Sequence, residues 1–173
     1  VVRYRLVSGN DAFAVDQDTG IITTLAKLDR ETKKSYTVIV EAFDNVLPVF
    51  ISNASFEVIL LDVNDNDPSF DAQAYTAHVD EAAAVDTPVV VFGFQVSENF
   101  TASDVDNGNN SLLHFEFPAR KSGFTDFRVD PTTGAVFVGQ LLDREKTPFY
   151  SFDVVVHDEG VPPRSGNATI TIT

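Results

Sequence analysis

Leu61-Asp62-Val63-Asn64-Asp65-Asn66-Asp67-Pro68 is the stretch on which the reading of this chain turns. Residues 62–67 hold three carboxylates and two side-chain amides. So many oxygens beside so few apolar atoms cannot form a core. Taken alone, the stretch has two readings. Asp, Asn and Pro favour surface turns through local hydrogen bonds and a fixed φ. The same side chains are oxygen donors, and a hard divalent cation needs about six to eight oxygens at roughly 2.3–2.6 Å. Pro68, which lacks an N–H, is expected to stop the strand that leads in.

Upstream, Phe56, Val58 and Leu60 alternate into this stretch, and Tyr36 to Asp44 reads as a further strand. Val2-Arg3-Tyr4-Arg5-Leu6 alternates as a half-buried strand does. Phe13 to Asp16 leads into the turn Gln17-Asp18-Thr19-Gly20, where Gly20 takes positive φ without steric cost, and Ile21 to Leu25 is the next strand.

The whole pattern recurs at an offset of 114 residues. Phe13, Val15, Asp16, Thr19 and Gly20 return as Phe127, Val129, Asp130, Thr133 and Gly134. Leu28-Asp29-Arg30-Glu31 returns as Leu142-Asp143-Arg144-Glu145, Tyr36 as Tyr150, Asp44 as Asp158, and Asn53-Ala54-Ser55 as Asn167-Ala168-Thr169. No gap is needed from 13 to 44, so this is one module, copied. The same offset carries Asp62 to a point just past Thr173. It also sets the start of the first module roughly 46 residues before Val1. Residues 1–61 therefore read as the later part of one module without its opening strands, 62–68 as the junction, and 69–173 as a second, nearly complete module.

A module of roughly 110 residues, built of short alternating strands and turns, predicts an all-β fold of tandem immunoglobulin-like Greek-key β-sandwiches, the first N-terminally incomplete. Modules joined without a flexible Gly/Ser linker suggest a rod. A sandwich lacking its opening strands exposes an edge.

Composition narrows the function. Hydrophobic residues make up 43% of the 173, enough for packed cores. Lys and Arg number 12 against 26 Asp and Glu, giving a formal charge of −14. Such a surface repels nucleic acid and attracts cations. There is no cysteine, which removes disulfides and thiolate metal sites. No run approaches the 18 or so apolar residues of a membrane helix, so this segment inserts into no bilayer by itself.

Asp104-Val105-Asp106-Asn107-Gly108 is not an EF-hand loop, because its Gly comes one place early and Phe115 stands where a bidentate Glu is needed. His78, His114 and His157 have no metal-ligand spacing among themselves. No nucleophile elbow, phosphate loop or dinucleotide fingerprint occurs, so no enzyme is expected.

Leu-Asp-Arg-Glu at 28–31 and 142–145, Asp-Val-Asn-Asp-Asn at 62–66, Asp104-Val105-Asp106 followed by Gly108-Asn109-Asn110, and the strand-end Asp44 and Asp158 follow one another in order, and the first and last of these are present twice at the 114-residue offset. Together they resemble the extracellular repeats of the cadherin superfamily. The resemblance implies a cluster of Ca²⁺ ions, usually three, between consecutive repeats. Carried over by motif position, Asp29 and Glu31 would contribute from the upper repeat. Asp62, the Val63 carbonyl, Asn64, Asp65 and the Asn66 carbonyl would contribute from the junction, and Asp104, Asp106, the Asn110 carbonyl and Asp158 from the lower repeat. Glu81, Asp143 and Glu145 would serve the next junction downstream, and Asp44 the one upstream. The family's early Glu of the upper repeat would precede Val1. Asp67 falls outside the ligand positions and reads as a surface charge.

The segment Val89 to Phe100 is longer and more irregular than the family pattern, and there is no Trp. Sequons at Asn53, Asn99, Asn109 and Asn167 suit a glycosylated extracellular surface. The expected role is a calcium-rigidified part of the ectodomain of a larger cell-surface protein. Such a protein supports calcium-dependent cell–cell adhesion through a homophilic or heterophilic cadherin partner. The alternative is a non-adhesive filament or tether whose repeats bind partners laterally.

Overall fold

The computed structural model describes residues 1–44, 50–92, 101–118 and 125–173. Among them the regular elements are β-strands and a 3-10 turn at Gly108–Ser111. Contacts divide the chain into two compact units, Val1–Asp62 and Val63–Thr173.

Unit 1 contains β1 (Val2–Ser8), β2 (Phe13–Val15), β3 (Ile22–Thr24), β4 (Ser35–Asp44) and β5 (Ile51–Ile59). β1, β4 and β5 form an antiparallel sheet in that order, and β2 pairs with β3. The alternation in β4 turns Tyr36 and Val38 inward to Phe13 and Ala12, with Leu6, Ile22, Leu28, Val58 and Leu60 packed around them. Phe13 meets Tyr36 edge-on at 5.4 Å. Phe56 shares the parity of Val58 but remains 42% exposed, because no described strand flanks β5 on its far side. Alternation set which way Phe56 points; the cover it needs comes from neighbouring strands.

Unit 2 contains β6 (Ser69–Phe70), β7 (Ala74–His78), β8 (Val90–Phe92), β9 (Ala102–Ser103), β10 (His114–Glu116), β11 (Phe127–Val129), β12 (Val136–Val138), β13 (Tyr150–His157) and β14 (Ser165–Ile172). Its main sheet runs β10-β13-β14-β7-β8, with β7 and β14 parallel and the other pairs antiparallel. β11-β12 and β6-β9 are separate ladders. The core lies between the main sheet and β11-β12: Tyr75, Ala77, Val154, Ala168, Ile170 and Ile172 meet Phe127, Val136 and Val138. Burying each large apolar side chain contributes about 1.5–3 kcal/mol, so this layer carries most of the unit's stability. Of the irregular apolar segment, Val90–Phe92 is β8, and 93–100, with the Asn99 sequon, lies outside the described residues.

The copied turns are copied in atomic detail. Asp16 Oδ1 accepts the Thr19 N–H and hydroxyl, both at 2.8 Å, and Asp130 Oδ1 accepts those of Thr133 at 2.8 and 2.9 Å. Gly20 and Gly134 follow at φ 74° and 72°. These bonds, the Thr N–H foremost, hold both carboxyls below the ordinary aspartate range. A carboxyl depressed in the folded state stabilises it above its unfolded pKa and loses that contribution as pH falls through the depressed folded value. Amide exchange at Thr19 and Thr133 should therefore stay slow through pH 4 and accelerate together only below the normal aspartate range. Loss of protection near pH 5 would contradict this.

Pro68 is not where the preceding strand stops, since β5 already ends at Ile59. Pro68 is fully buried, and its carbonyl lies 2.1 Å from where a Cβ on Gly166 would sit. The proline seats the start of unit 2 against β14, and only a residue without a side chain fits opposite it.

Candidate metal centre

One end of unit 2 draws its junction residues onto two acidic loops. The Asn64 amide donates to Asp158 Oδ1 at 3.2 Å and to the Pro162 carbonyl at 2.8 Å. The Asn66 amide donates to Asp106 Oδ1 at 2.6 Å and to Asp65 Oδ1 at 3.1 Å, while its backbone N–H reaches Asp106 Oδ2 at 3.2 Å. Asp104 Oδ1 accepts the Asp106 N–H at 2.9 Å. Asp158 is 1% exposed. Its Oδ1 accepts N–H groups from Gly160 at 2.8 Å and Arg164 at 3.1 Å. A Cβ on Gly160 would meet Asn64 Nδ2 at 2.1 Å and Asn110 Oδ1 at 2.8 Å, so this glycine is what lets the two amides close over the Asp158 loop.

The structure thus brings Asn64, Asp65, Asn66, Asp104, Asp106, Asn110 and Asp158 to one end of unit 2. The donor set is oxygen-rich, and Asn64 Oδ1 and Asp104 Oδ2 are buried without a hydrogen-bond partner. Burial, first, and then repulsion from Asp106, Asp158 and Asp67 raise the Asp104 carboxyl, against the Asp106 N–H that lowers it. Crowded carboxylates with unsatisfied oxygens fit a hard divalent cation.

In unit 1, Asp29 accepts the Thr32 hydroxyl at 2.5 Å and the Glu31 N–H at 3.0 Å, and the hydroxyl bond is the main cause of its lowered pKa. Arg30 Nη1 lies 3.0 Å from Asp62 Oδ1 and 3.5 Å from Glu31 Oε1. Sequence reasoning passed over Arg30, although a cation between two acidic positions of the motif was visible there. Asp67 is the surface charge the sequence suggested, 62% exposed; it pairs with Arg164 Nε at 2.6 Å and adds to the field on Asp104.

Asp44 ends β4 opposite Val2. Glu81 shares an open cleft at the far end of unit 2 with His78, Leu142, Arg144 and Tyr150. Beside that cleft, Lys146 stands at the repeat position of Thr32 and pairs with Asp143 at 2.7 Å, holding that carboxyl below its ordinary range. Glu145 is exposed, as are the sequon residues Asn53, Asn109 and Asn167.

Comparison with known proteins places the fold. The Cadherin domain model matches residues 1–64 and 75–173. Human Protocadherin Fat 1 is 33% identical over 173 residues, covering 99% of this chain and 4% of that protein. Mouse Cadherin EGF LAG seven-pass G-type receptor 3 is 36% identical over 172 residues, covering 99% of this chain and 5% of the receptor. The chain therefore spans about a twentieth of the length of these relatives. The crystal structure of mouse cadherin-23 EC22-24 superposes with a TM-score of 0.85 at 30% identity, over 99% of this chain and 51% of that one.

Proposed function

The chain belongs to the cadherin domain family, whose repeats are non-enzymatic, and from that premise we propose that its two units are consecutive extracellular repeats stiffened at their joint by Ca²⁺ within a much longer adhesion protein. The observation that supports this most strongly is the acidic end of unit 2, where Asn64 Oδ1 and Asp104 Oδ2 are buried without hydrogen-bond partners. The proposed ligands are Asp29, Glu31 and Asp62 from unit 1, with Val63, Asn64, Asp65, Asn66, Asp104, Asp106, Asn110 and Asp158 from unit 2. Glu81, Asp143 and Glu145 would serve the downstream junction and Asp44 the upstream one.

Calcium, when bound, supplies the positive charge that these oxygens lack. The chain's own contribution is placement. Asn66 holds Asp106, the Asp106 N–H holds Asp104, and the Asp158 loop holds Asn64. Extracellular modules bind Ca²⁺ at roughly 10⁻⁴–10⁻³ M. Free calcium at one to ten times Kd adds only about 0.4–1.4 kcal/mol per site. The ion therefore acts on the angle between repeats far more than on the folding of either.

Small-angle scattering tests this directly. With millimolar Ca²⁺ the chain should have a larger maximum dimension and a narrower cross-section than in chelator. Superimposable profiles would end the proposal. For the adhesive role, beads coated with the full ectodomain should cluster in Ca²⁺ and disperse in chelator; dispersal in both would favour the lateral tether.

A further inference from the structure

We propose that His114, His157 and Glu159 form a surface site for a borderline divalent transition-metal ion, with Zn²⁺ as the reference cation. The pairing of β10 with β13 sets His114 directly opposite His157. Their neighbours Phe115 and Val156 are 6% and 0% exposed and face the core. Side chains alternate along a strand, so both imidazoles stand on the outer face. Cβ atoms of directly opposed residues are about 4.5–5.5 Å apart, which brings the two rings up side by side. Their planes are 25° apart and their centroids 5.8 Å apart. Two imidazole nitrogens bound to one tetrahedral Zn²⁺ at about 2.0–2.1 Å would set the ring centres roughly 5–6 Å apart. That spacing is already present; the rings are stacked, so each must rotate to aim one nitrogen at a shared ion, which their partial exposure allows.

Glu159 supplies the remaining part. Its Oε1 lies 2.5 Å from His114 Nε2, and its backbone N–H is anchored on the Asn109 carbonyl at 3.0 Å. In a neutral imidazole this bond keeps the proton on Nε2 and leaves the lone pair on Nδ1 for a metal. A carboxylate behind a ligating histidine fixes its tautomer and raises its basicity. Glu159 is thus a positioning residue, His114 and His157 are the ligands, and water fills the other positions. Imidazole nitrogen suits Zn²⁺, Cu²⁺ and Ni²⁺ but not the oxygen-seeking Ca²⁺. The site is therefore chemically separate from the acidic end of unit 2, and it would clamp β10 to β13.

The test is calorimetric titration of the whole chain with ZnCl₂ in saturating Ca²⁺, which keeps Zn²⁺ off the carboxylates, paired with proton spectra of the three imidazoles. The expected result is one Zn²⁺ site, with the His114 and His157 resonances shifting together and His78 unmoved. His114→Ala and His157→Ala should each raise Kd at least about tenfold, Glu159→Gln about tenfold, and His78→Ala not at all. Unchanged Zn²⁺ affinity in the His114→Ala/His157→Ala double variant would overturn the proposal. So would shifts confined to His78, or no binding up to millimolar Zn²⁺, which would leave the two histidines a solvated surface pair.

Discussion

Asp158→Ala should destabilise unit 2 by about 2–4 kcal/mol in chelator, with no metal to lose. The carboxylate is 1% exposed and accepts the N–H groups of Gly160 and Arg164 as well as the Asn64 amide. Hydrogen bonds to a charged group contribute roughly 1.5–3 kcal/mol each, and a buried donor left without an acceptor costs about 1–3 kcal/mol. Relief of the buried charge returns part of that sum. The melting temperature should fall on the order of 10–20 °C. Asp158→Asn, which keeps one acceptor oxygen, should fall less. An unchanged melting temperature in chelator would show that Asp158 serves only as a ligand, and that the loop from Asp158 to Arg164 holds itself. In Ca²⁺ the Ala variant should lose a further increment, because Asn64 is no longer held over the acidic end.

Ile170→Ala and Phe56→Ala occupy the same position in the two copies, and their costs should differ widely. Ile170 is 0% exposed in the core of unit 2, between β13 and β7 in the sheet. Truncating a buried Ile to Ala costs about 2–5 kcal/mol through lost transfer energy and the cavity left behind. Phe56 is 42% exposed, and its removal should cost no more than about 1 kcal/mol. Hydrogen exchange resolved by peptide reads each unit separately. Protection across β13 and β14 should drop sharply in the first variant, and protection across β4 and β5 should barely change in the second. Equal losses in both would mean that Phe56 is covered in solution by something other than the described strands.

Much of the candidate site was legible because its signals are local. Leu-Asp-Arg-Glu, Asp-Val-Asn-Asp-Asn and Asp-Val-Asp carry their oxygens within a few residues, and such spacing survives without knowledge of the fold. The partners that organise those oxygens were not legible, because they come from far along the chain. Asn64 reaches Asp158 and Pro162, Asn66 reaches Asp106, and Arg164 reaches Asp67. The histidine pair shows the same division. His114 and His157 have no useful spacing in sequence, and only strand register makes them neighbours.

By itself, the amino-acid order determined that the chain is β-rich, that one module is written twice at an offset of 114, and that each copy turns on a Thr-Gly pair whose glycine takes positive φ. Those properties depend on alternation, on positive φ at glycine and on hydrogen bonds between near neighbours, all of which act within a few residues. Tertiary structure alone decided that Pro68 is a packing residue under Gly166 and which donors fill the lone pairs of Asp158, and it put the exposed edge expected of the first copy at Phe56, whose twin Ile170 is buried. Burial and hydrogen-bond satisfaction depend on what arrives from elsewhere in the chain, and corresponding positions of the two copies meet different neighbours.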